Sequence, residues 1–184
     1  MTAGRVVGAR VVTSTARAPY SAGLLALRVG HVLEQVVRDL ELPLDVLLVD
    51  ASGRDHPRRA GLAVQLGAVL DVPTVGVTHR PLVARGAWPE DRRGAISPVR
   101  IDETVVGCWL RTRAGTRPLV VHPGWRVDLE TAVDIVTATT ARRRTPEPLR
   151  QARRLARRTR AVSGSQVDEL HGSDDDRERP GQLD

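Results

Sequence analysis

Two apolar runs decide the fold: DVLLVD (Asp45–Asp50) and, after a segment of helix length, PTVGVT (Pro73–Thr78). Short apolar runs bounded by polar residues are typical of strands buried on both faces. The segment between them has helical apolar spacing and is predicted to start its helix at Pro57, because proline suits a first helical position. Such a unit predicts a parallel strand pair with a right-handed crossover. Functional groups then gather at the carboxyl ends of the strands, here Asp50 and His79.

The rest of the chain adds elements around this unit. The predicted elements are a β-branched strand at Arg5–Ser14, an amphipathic helix at Leu24–Leu40, a hairpin of Thr104–Arg113 and Pro118–His122 turning at Ala114-Gly115, a helix with Asp128 as N-cap, and a basic helix at Glu147–Arg160. Strands and helices that alternate in this way indicate an α/β fold.

The charge is unevenly distributed along the 184 residues. Residues 1–160 carry a formal charge of +11, and residues 161–184 carry −5 and few apolar side chains. We therefore expect one domain over residues 1–160 and a disordered acidic tail over residues 161–184. All 28 cations are arginine. That bias fits either phosphate binding or a GC-rich genome. A basic body is compatible with a polyanionic partner.

Other composition features narrow the setting. The single cysteine, Cys108, excludes an internal disulfide and lies in an apolar stretch, so we expect it to be buried. The N-terminus has no apolar signal segment, and no apolar run is long enough to span a membrane. We expect a cytoplasmic protein, monomeric by default.

Several stretches, in this order and spacing, resemble the endonuclease V family. They are Pro19–Arg28, Leu47–Gly67, Asp71–Thr78 with His79 and Pro81-Leu82, and Leu119–Ala132 continued by Thr145–Arg150. The resemblance implies an RNase H-like mixed sheet flanked by helices. It also implies cleavage of DNA near deoxyinosine with Mg²⁺, with DNA and possibly RNA as partners. In-line attack on a phosphodiester with Mg²⁺ needs convergent carboxylates.

The resemblance assigns roles to individual residues. Asp50 corresponds to a catalytic metal-binding Asp, and His56 to a histidine of the catalytic site. The positions implied to contact nucleic acid are Pro19, Tyr20, Gly23, Arg58, Arg59 and Gly124. Pro19 and Tyr20 match the start of a wedge that parts the strands at the lesion.

The sequence departs from the family pattern at other positions. Val29 replaces a glutamate that binds metal, His79 replaces a lysine, and Trp125 replaces a histidine assigned to the catalytic site. The family's first strand, with its essential Asp, should precede Pro19. Residues 1–18 contain no acidic residue, so we expect the first strand or strands to be missing. We predict that metal-dependent cleavage is impaired or lost.

Three functions stay open at this stage. The chain is a nucleic-acid-binding relative with degraded catalysis, an active nuclease whose true start lies further upstream, or a non-catalytic protein-interaction module. We expect Asp55 to be solvated rather than a replacement ligand, and we give His122 little weight as a substitute for the lost histidine. Trp125 either stacks on a base or caps the core. The arginine-rich helix is either a phosphate-binding face or solvated surface.

Overall fold

The computed structural model describes residues 5–14, 25–141 and 143–172, with side chains described as far as residue 161. The elements in chain order are α1 (Leu25–Arg38), β1 (Leu47–Val49), α2 (Leu62–Leu70), β2 (Thr74–Thr78), β3 (Ile96–Ile101), β4 (Thr104–Leu110), β5 (Leu119–Pro123), α3 (Leu129–Thr139) and α4 (Glu147–Gly172). The chain divides into two compact units, the first ending at Arg150 and the second beginning at Gln151.

The strands form one five-stranded mixed sheet in the order β1-β2-β5-β4-β3. β1 and β2 are parallel, as the sequence predicts, and the remaining neighbours are antiparallel. The predicted hairpin is confirmed as β4 and β5. Among the described strands, β1 lies at the edge of the sheet. Apolar clusters cover both of its faces, but Leu47 and Leu48 are only half-buried.

Alternation along the strands gives the sheet two apolar faces. Val75, Cys108 and Val121 point to one face, where they pack with α3 and with Leu149 at the start of α4. Val49 points to the other face, where the apolar sides of α1 and α2 cover it. These cores are built from aliphatic side chains, each of which contributes about 1.5–3 kcal/mol when fully buried.

The start of α3 is confirmed in detail. Asp128 precedes the helix in an extended conformation, and its carboxylate accepts a 2.8 Å hydrogen bond from the backbone N–H of Thr131. The hydrogen bonds from Thr131 lower the pKa of Asp128 below its ordinary value. A charged N-cap acceptor satisfies a helix N–H that would otherwise have no partner.

Three predicted elements differ in the structure. Residues 5–14 contain no strand, although their β-branched composition predicts one. α2 begins at Leu62 rather than Pro57, because the chain before Gly61 forms a loop in which Arg59 has a φ of 55°. β3 was not predicted. It is an edge strand with Pro98 within it, and proline is tolerated at such an edge.

The C-terminal helix is longer than the sequence indicates. α4 continues to Gly172, past the boundary after residue 160 at which the predicted tail begins. The division into residues 1–160 and 161–184 stays a prediction. Within the described part of the chain, no helix combines the length and apolarity that crossing a membrane requires.

Candidate functional site

Asp50 and His79 mark the edge of the sheet where the sequence places a site. Asp50 follows β1 directly and His79 follows β2. Because β1 and β2 are parallel, both residues emerge at the same edge, and both are exposed. The structure therefore places these two predicted residues on neighbouring strand ends.

The loop between β1 and α2 carries the other predicted residues of this edge. His56 is buried, with 5% of its surface exposed, and its Nδ1 accepts a 3.1 Å hydrogen bond from the backbone N–H of Arg58. That contact fixes the ring and, in the neutral form, leaves the proton on Nε2. Arg58 and Arg59 are exposed. Arg59 lies 3.7 Å from the carboxylate of Asp102, a surface pair of small energetic value.

Asp55 is fully buried, and the expectation that it is solvated is wrong. Its carboxylate accepts hydrogen bonds from the backbone N–H groups of Leu82 at 2.6 Å, Val83 at 2.9 Å and Ala84 at 2.7 Å. Three backbone N–H groups stabilise the negative charge, and the carboxylate in turn fixes the position of the chain that follows β2. The sequence gives no signal for this role, because the partners lie 27 to 29 residues away.

His122 lies in the middle of the sheet, close to this edge. Its register partner on β2 is Gly76, and Gly107 stands in the corresponding position on β4, so the imidazole has a glycine on each side. A Cβ at Gly107 would lie 3.4 Å from His122 Nδ1. His122 Nε2 lies 2.9 Å from the hydroxyl of Thr78. The buried ring therefore contacts Thr78, the last residue of β2, and is not accessible to substrate.

The position of Val29 explains part of the departure from the family pattern. Val29 lies on α1 and packs with Leu33 against the cluster that contains Val49 and Ala51, the two residues flanking Asp50. An aliphatic side chain that packs into this cluster thus occupies the position where the resemblance implies a glutamate.

Trp125 and Gly124 lie at the opposite end of β2. Gly124 N–H donates to Thr74 O, Trp125 N–H donates to Thr74 Oγ1, and Thr74 N–H donates to Trp125 O, all within 3.0 Å. A Cβ on Gly124 would collide with Thr74 Oγ1, so glycine is needed here for close approach. By the register of β1 and β2, Asp50 lies beside Val77. That position is three residues, or about 10 Å, from Thr74 along β2.

Trp125 therefore lies at the end of β2 away from Asp50, and its correspondence to a catalytic-site histidine stays a prediction. Its Cβ side packs on α2 at Gly67, and the guanidinium carbon of Arg126 lies 5.9 Å from the ring centroid. The half-buried indole covers the core at this end of the sheet. Its Nε1 is buried with no hydrogen-bond partner among the described residues. The role of Gly124 in nucleic-acid contact stays a prediction.

The donor set was tested against Mg²⁺, which prefers several carboxylate and water ligands in octahedral geometry. Over the described ranges, no three His, Cys, Asp or Glu side chains converge as a possible metal site. Asp50 is the exposed carboxylate at this edge, while Asp55 is engaged by backbone N–H groups. The described residues therefore do not fit Mg²⁺.

A surface cleft of about 530 Å³ lies near the far end of β5. Its lining residues are Arg54, Val105, Gly107, Pro123, Arg126, Val127, Asp128 and Leu129. Asp50 and His56 are not in this lining, so the cleft and the predicted site are separate features. The predicted positions Pro19, Tyr20 and Gly23 lie outside the described residues.

The mixed sheet covered by helices on both faces is an RNase H-like α/β fold, which its solved structural neighbours share. The family model for endonuclease V matches residues 1–154, and the chain belongs to this family. A relative, endonuclease V of Methanopyrus kandleri, is 44% identical over 153 residues, which cover 83% of this chain and 66% of the relative.

Two crystal structures give the same result. Endonuclease V of Streptomyces avermitilis is 36% identical with a TM-score of 0.76, and the match covers 79% of this chain and 64% of that one. The catalytic domain of human endonuclease V is 36% identical with a TM-score of 0.71, covering 81% and 67%. In matches to curated relatives such as that of Methanopyrus kandleri, the chain spans between 59% and 66% of the relative's length.

Proposed function

We propose that the chain binds deoxyinosine-containing DNA as its family does, and that metal-dependent cleavage is impaired or lost. The observation that carries the proposal is the packing of Val29 into the aliphatic cluster that contains Val49 and Ala51, at the position where the resemblance implies a glutamate. The resemblance implies that this glutamate is a metal ligand. Valine offers no oxygen to a metal ion, so this ligand is absent.

The other residues at the same edge support this proposal. His79 stands where the resemblance implies lysine, and its imidazole does not supply the ammonium group on a long flexible stem that lysine would supply. Asp55 cannot turn outward as a substitute without releasing three backbone N–H groups. Each lost charge-assisted hydrogen bond costs about 1.5–3 kcal/mol. A weakly bound metal ion would not offset that cost.

Binding to DNA is supported by charge. Residues 1–160 carry a formal charge of +11, and Arg58 and Arg59 are exposed on the loop that leaves the Asp50 edge. The surface pair of Arg59 with Asp102 is weak enough to be exchanged for a phosphate. Neutralised phosphates release counterions, so binding of this kind weakens steeply with salt. RNA carries the same phosphates, so the binding test compares RNA with DNA.

The proposal is tested by binding and cleavage on the same preparation. Fluorescence anisotropy measures the affinity for a labelled DNA strand with one deoxyinosine, a strand with adenine in its place, and the RNA equivalent, at two salt concentrations. Salt-dependent binding that favours deoxyinosine, with little metal-dependent cleavage, is the expected result. No binding to any strand would contradict the proposal and favour a protein-interaction role.

The variant Arg58→Ala is the sharpest control on the binding arm. Arg58 is exposed, and its backbone N–H, rather than its side chain, contacts His56, so the loop should keep its structure. We expect weaker binding to all strands and a smaller salt slope. Arg38→Ala, on the exposed part of α1 and paired with Glu34, is the matched control and should leave the affinity unchanged.

A further inference from the structure

Trp88 is the exposed aromatic residue of the region after β2. The sequence contains only four aromatic residues, yet 54% of the surface of Trp88 is exposed, against 6% for Trp109. An indole is a large apolar group whose burial would stabilise the fold, so leaving it on the surface carries a cost. An exposed tryptophan in a chain so poor in aromatics indicates a use for its free ring surface.

The segment that carries Trp88 is held rigidly over the sheet. We call Leu82–Asp91 the strap. Four sets of contacts anchor the strap. The Asp55 carboxylate accepts hydrogen bonds from the backbone of Leu82–Ala84, and the backbone of Arg85 pairs with that of Arg100. The indole N–H of Trp109 donates to Gly86 O at 3.0 Å, and the Asp91 carboxylate accepts a hydrogen bond from Gly115 N–H at 2.9 Å. Because nearly every part of the strap is fixed, Trp88 is presented in one position before any ligand arrives.

Arg111 fixes the ring itself. Its guanidinium is buried and donates to the carbonyls of Pro89 at 3.0 Å and Glu90 at 3.2 Å, and to that of Thr116. The guanidinium carbon lies 5.9 Å from the centroid of the Trp88 ring. Trp109 makes an edge contact, with centroids 6.2 Å apart and planes at 71°. These contacts support the indole from within the protein and leave more than half of it open to solvent.

The charges around the strap suit a polyanion. Glu90 lies 3.6 Å from Arg92, and Asp91 lies 3.4 Å from Arg111, so both acidic residues of the strap face an arginine. Arg85 and Arg100 are opposite each other at the edge of the sheet, and both are exposed. An open aromatic ring with exposed guanidinium groups nearby is the arrangement by which proteins hold single-stranded nucleic acid.

We propose that Trp88 stacks on an unpaired nucleobase of the bound strand. This inference rests on the proposed function and adds a second contact point to it. The strap leads from Asp55, beside the end of β2, to β3, which is three strand spacings or about 14 Å away across the sheet. A strand that enters at the Asp50 edge and follows the strap would bring a base over Trp88.

The test measures the affinity of Trp88→Ala and Trp88→Phe for a labelled single strand with one deoxyinosine. Stacking predicts a loss of about 5- to 100-fold for Trp88→Ala, a small loss for Trp88→Phe, and an unchanged salt slope, because no phosphate contact is removed. Ile96→Ala, which removes an apolar side chain that is 56% exposed on β3, is the matched control and should bind like the parent chain.

A set of strands with one abasic position each locates the base. In the parent chain, one position at a fixed distance from deoxyinosine should weaken binding, and Trp88→Ala should abolish that effect. If the parent chain binds and Trp88→Ala binds within twofold of it, or the abasic effect persists in the variant, the stacking inference is overturned and the proposed function stands. If the parent chain binds no strand, both fail.

Discussion

The imidazole of His122 donates a hydrogen bond from Nε2 to Oγ1 of Thr78, 2.9 Å away. The direction follows from Thr78, whose single hydroxyl proton is already donated to the carbonyl of Arg80 at 2.9 Å. His122 is therefore the Nε2–H tautomer, with Nδ1 as a buried acceptor that has no partner among the described residues. This contact sets the end of β2, and with it the direction in which the chain leaves toward His79 and the strap.

The His122 contact predicts a stability that depends on pH. Burial lowers the pKa of His122 from 6.5 to about 4, although the negative charge of Asp55 opposes the shift. Because the folded pKa lies below the unfolded one, the unfolded chain binds the proton more readily. The free energy of unfolding should thus be at its full value above pH 6.5 and fall by roughly 3 kcal/mol as the pH drops to 4.

Denaturant unfolding at a series of pH values checks this dependence. His122→Gln removes the titrating group and should flatten the curve over that window relative to the parent chain. Equal slopes for the two proteins would show that another group is responsible.

Asp55→Asn should loosen the strap. The amide offers one acceptor oxygen in place of two and turns an N–H₂ group toward backbone N–H groups, so at least one of the contacts to Leu82, Val83 and Ala84 is lost. We expect a loss of about 2–4 kcal/mol in the free energy of unfolding. Hydrogen exchange of those three amides should also accelerate. Asp134→Asn, on the exposed side of α3, should change neither quantity, and slow exchange retained in Asp55→Asn would refute the assigned role.

The thiol of Cys108 should be inert in the folded protein. Burial raises the pKa of Cys108 to about 12, and thiol reagents attack the thiolate. Labelling at mildly alkaline pH should therefore proceed at the rate of unfolding and become fast in denaturant. Rapid labelling of the native chain would contradict the burial of β4.

Thr74→Val tests the junction between β2, α2 and the turn after β5. The variant keeps the volume but removes Oγ1, which donates to Ala63 O at 2.7 Å and accepts from Trp125 N–H at 2.8 Å. Leaving that buried N–H unpaired should cost about 1–3 kcal/mol in the free energy of unfolding. Thr104→Val, at an exposed position at the start of β4, provides the control and should be close to neutral. Equal costs for the two variants would argue against the junction.

Local patterns predicted the parts of the fold that depend on local physics. The apolar runs ending at Asp50 and Thr78 gave the parallel pair, and Asp128 gave the start of α3. Pairing between distant segments was not predictable. β3 contains Pro98 and alternates irregularly, while residues 5–14 have a β-branched composition but form no strand.

The residues of the candidate site likewise fall into those that local sequence predicts and those that depend on distant segments. Asp50 and His79 could be placed at strand ends from the order of elements alone. The burial of Asp55 depends on a chain segment 27 residues further on, and the placement of His122 depends on the register of three strands. The end of the sheet at which Trp125 lies could not be predicted, because sequence order does not show at which end an antiparallel strand finishes.

Impaired cleavage is tested by single-turnover reactions on a deoxyinosine strand with Mg²⁺ or Mn²⁺, using the parent chain, Val29→Glu, and Val29→Glu combined with Asp50→Asn. We expect little cleavage by the parent chain, a gain in Val29→Glu because the variant restores the metal-binding carboxylate that the resemblance implies, and loss of that gain in the double variant. Efficient cleavage next to deoxyinosine by the parent chain, abolished by Asp50→Asn alone, would contradict this expectation.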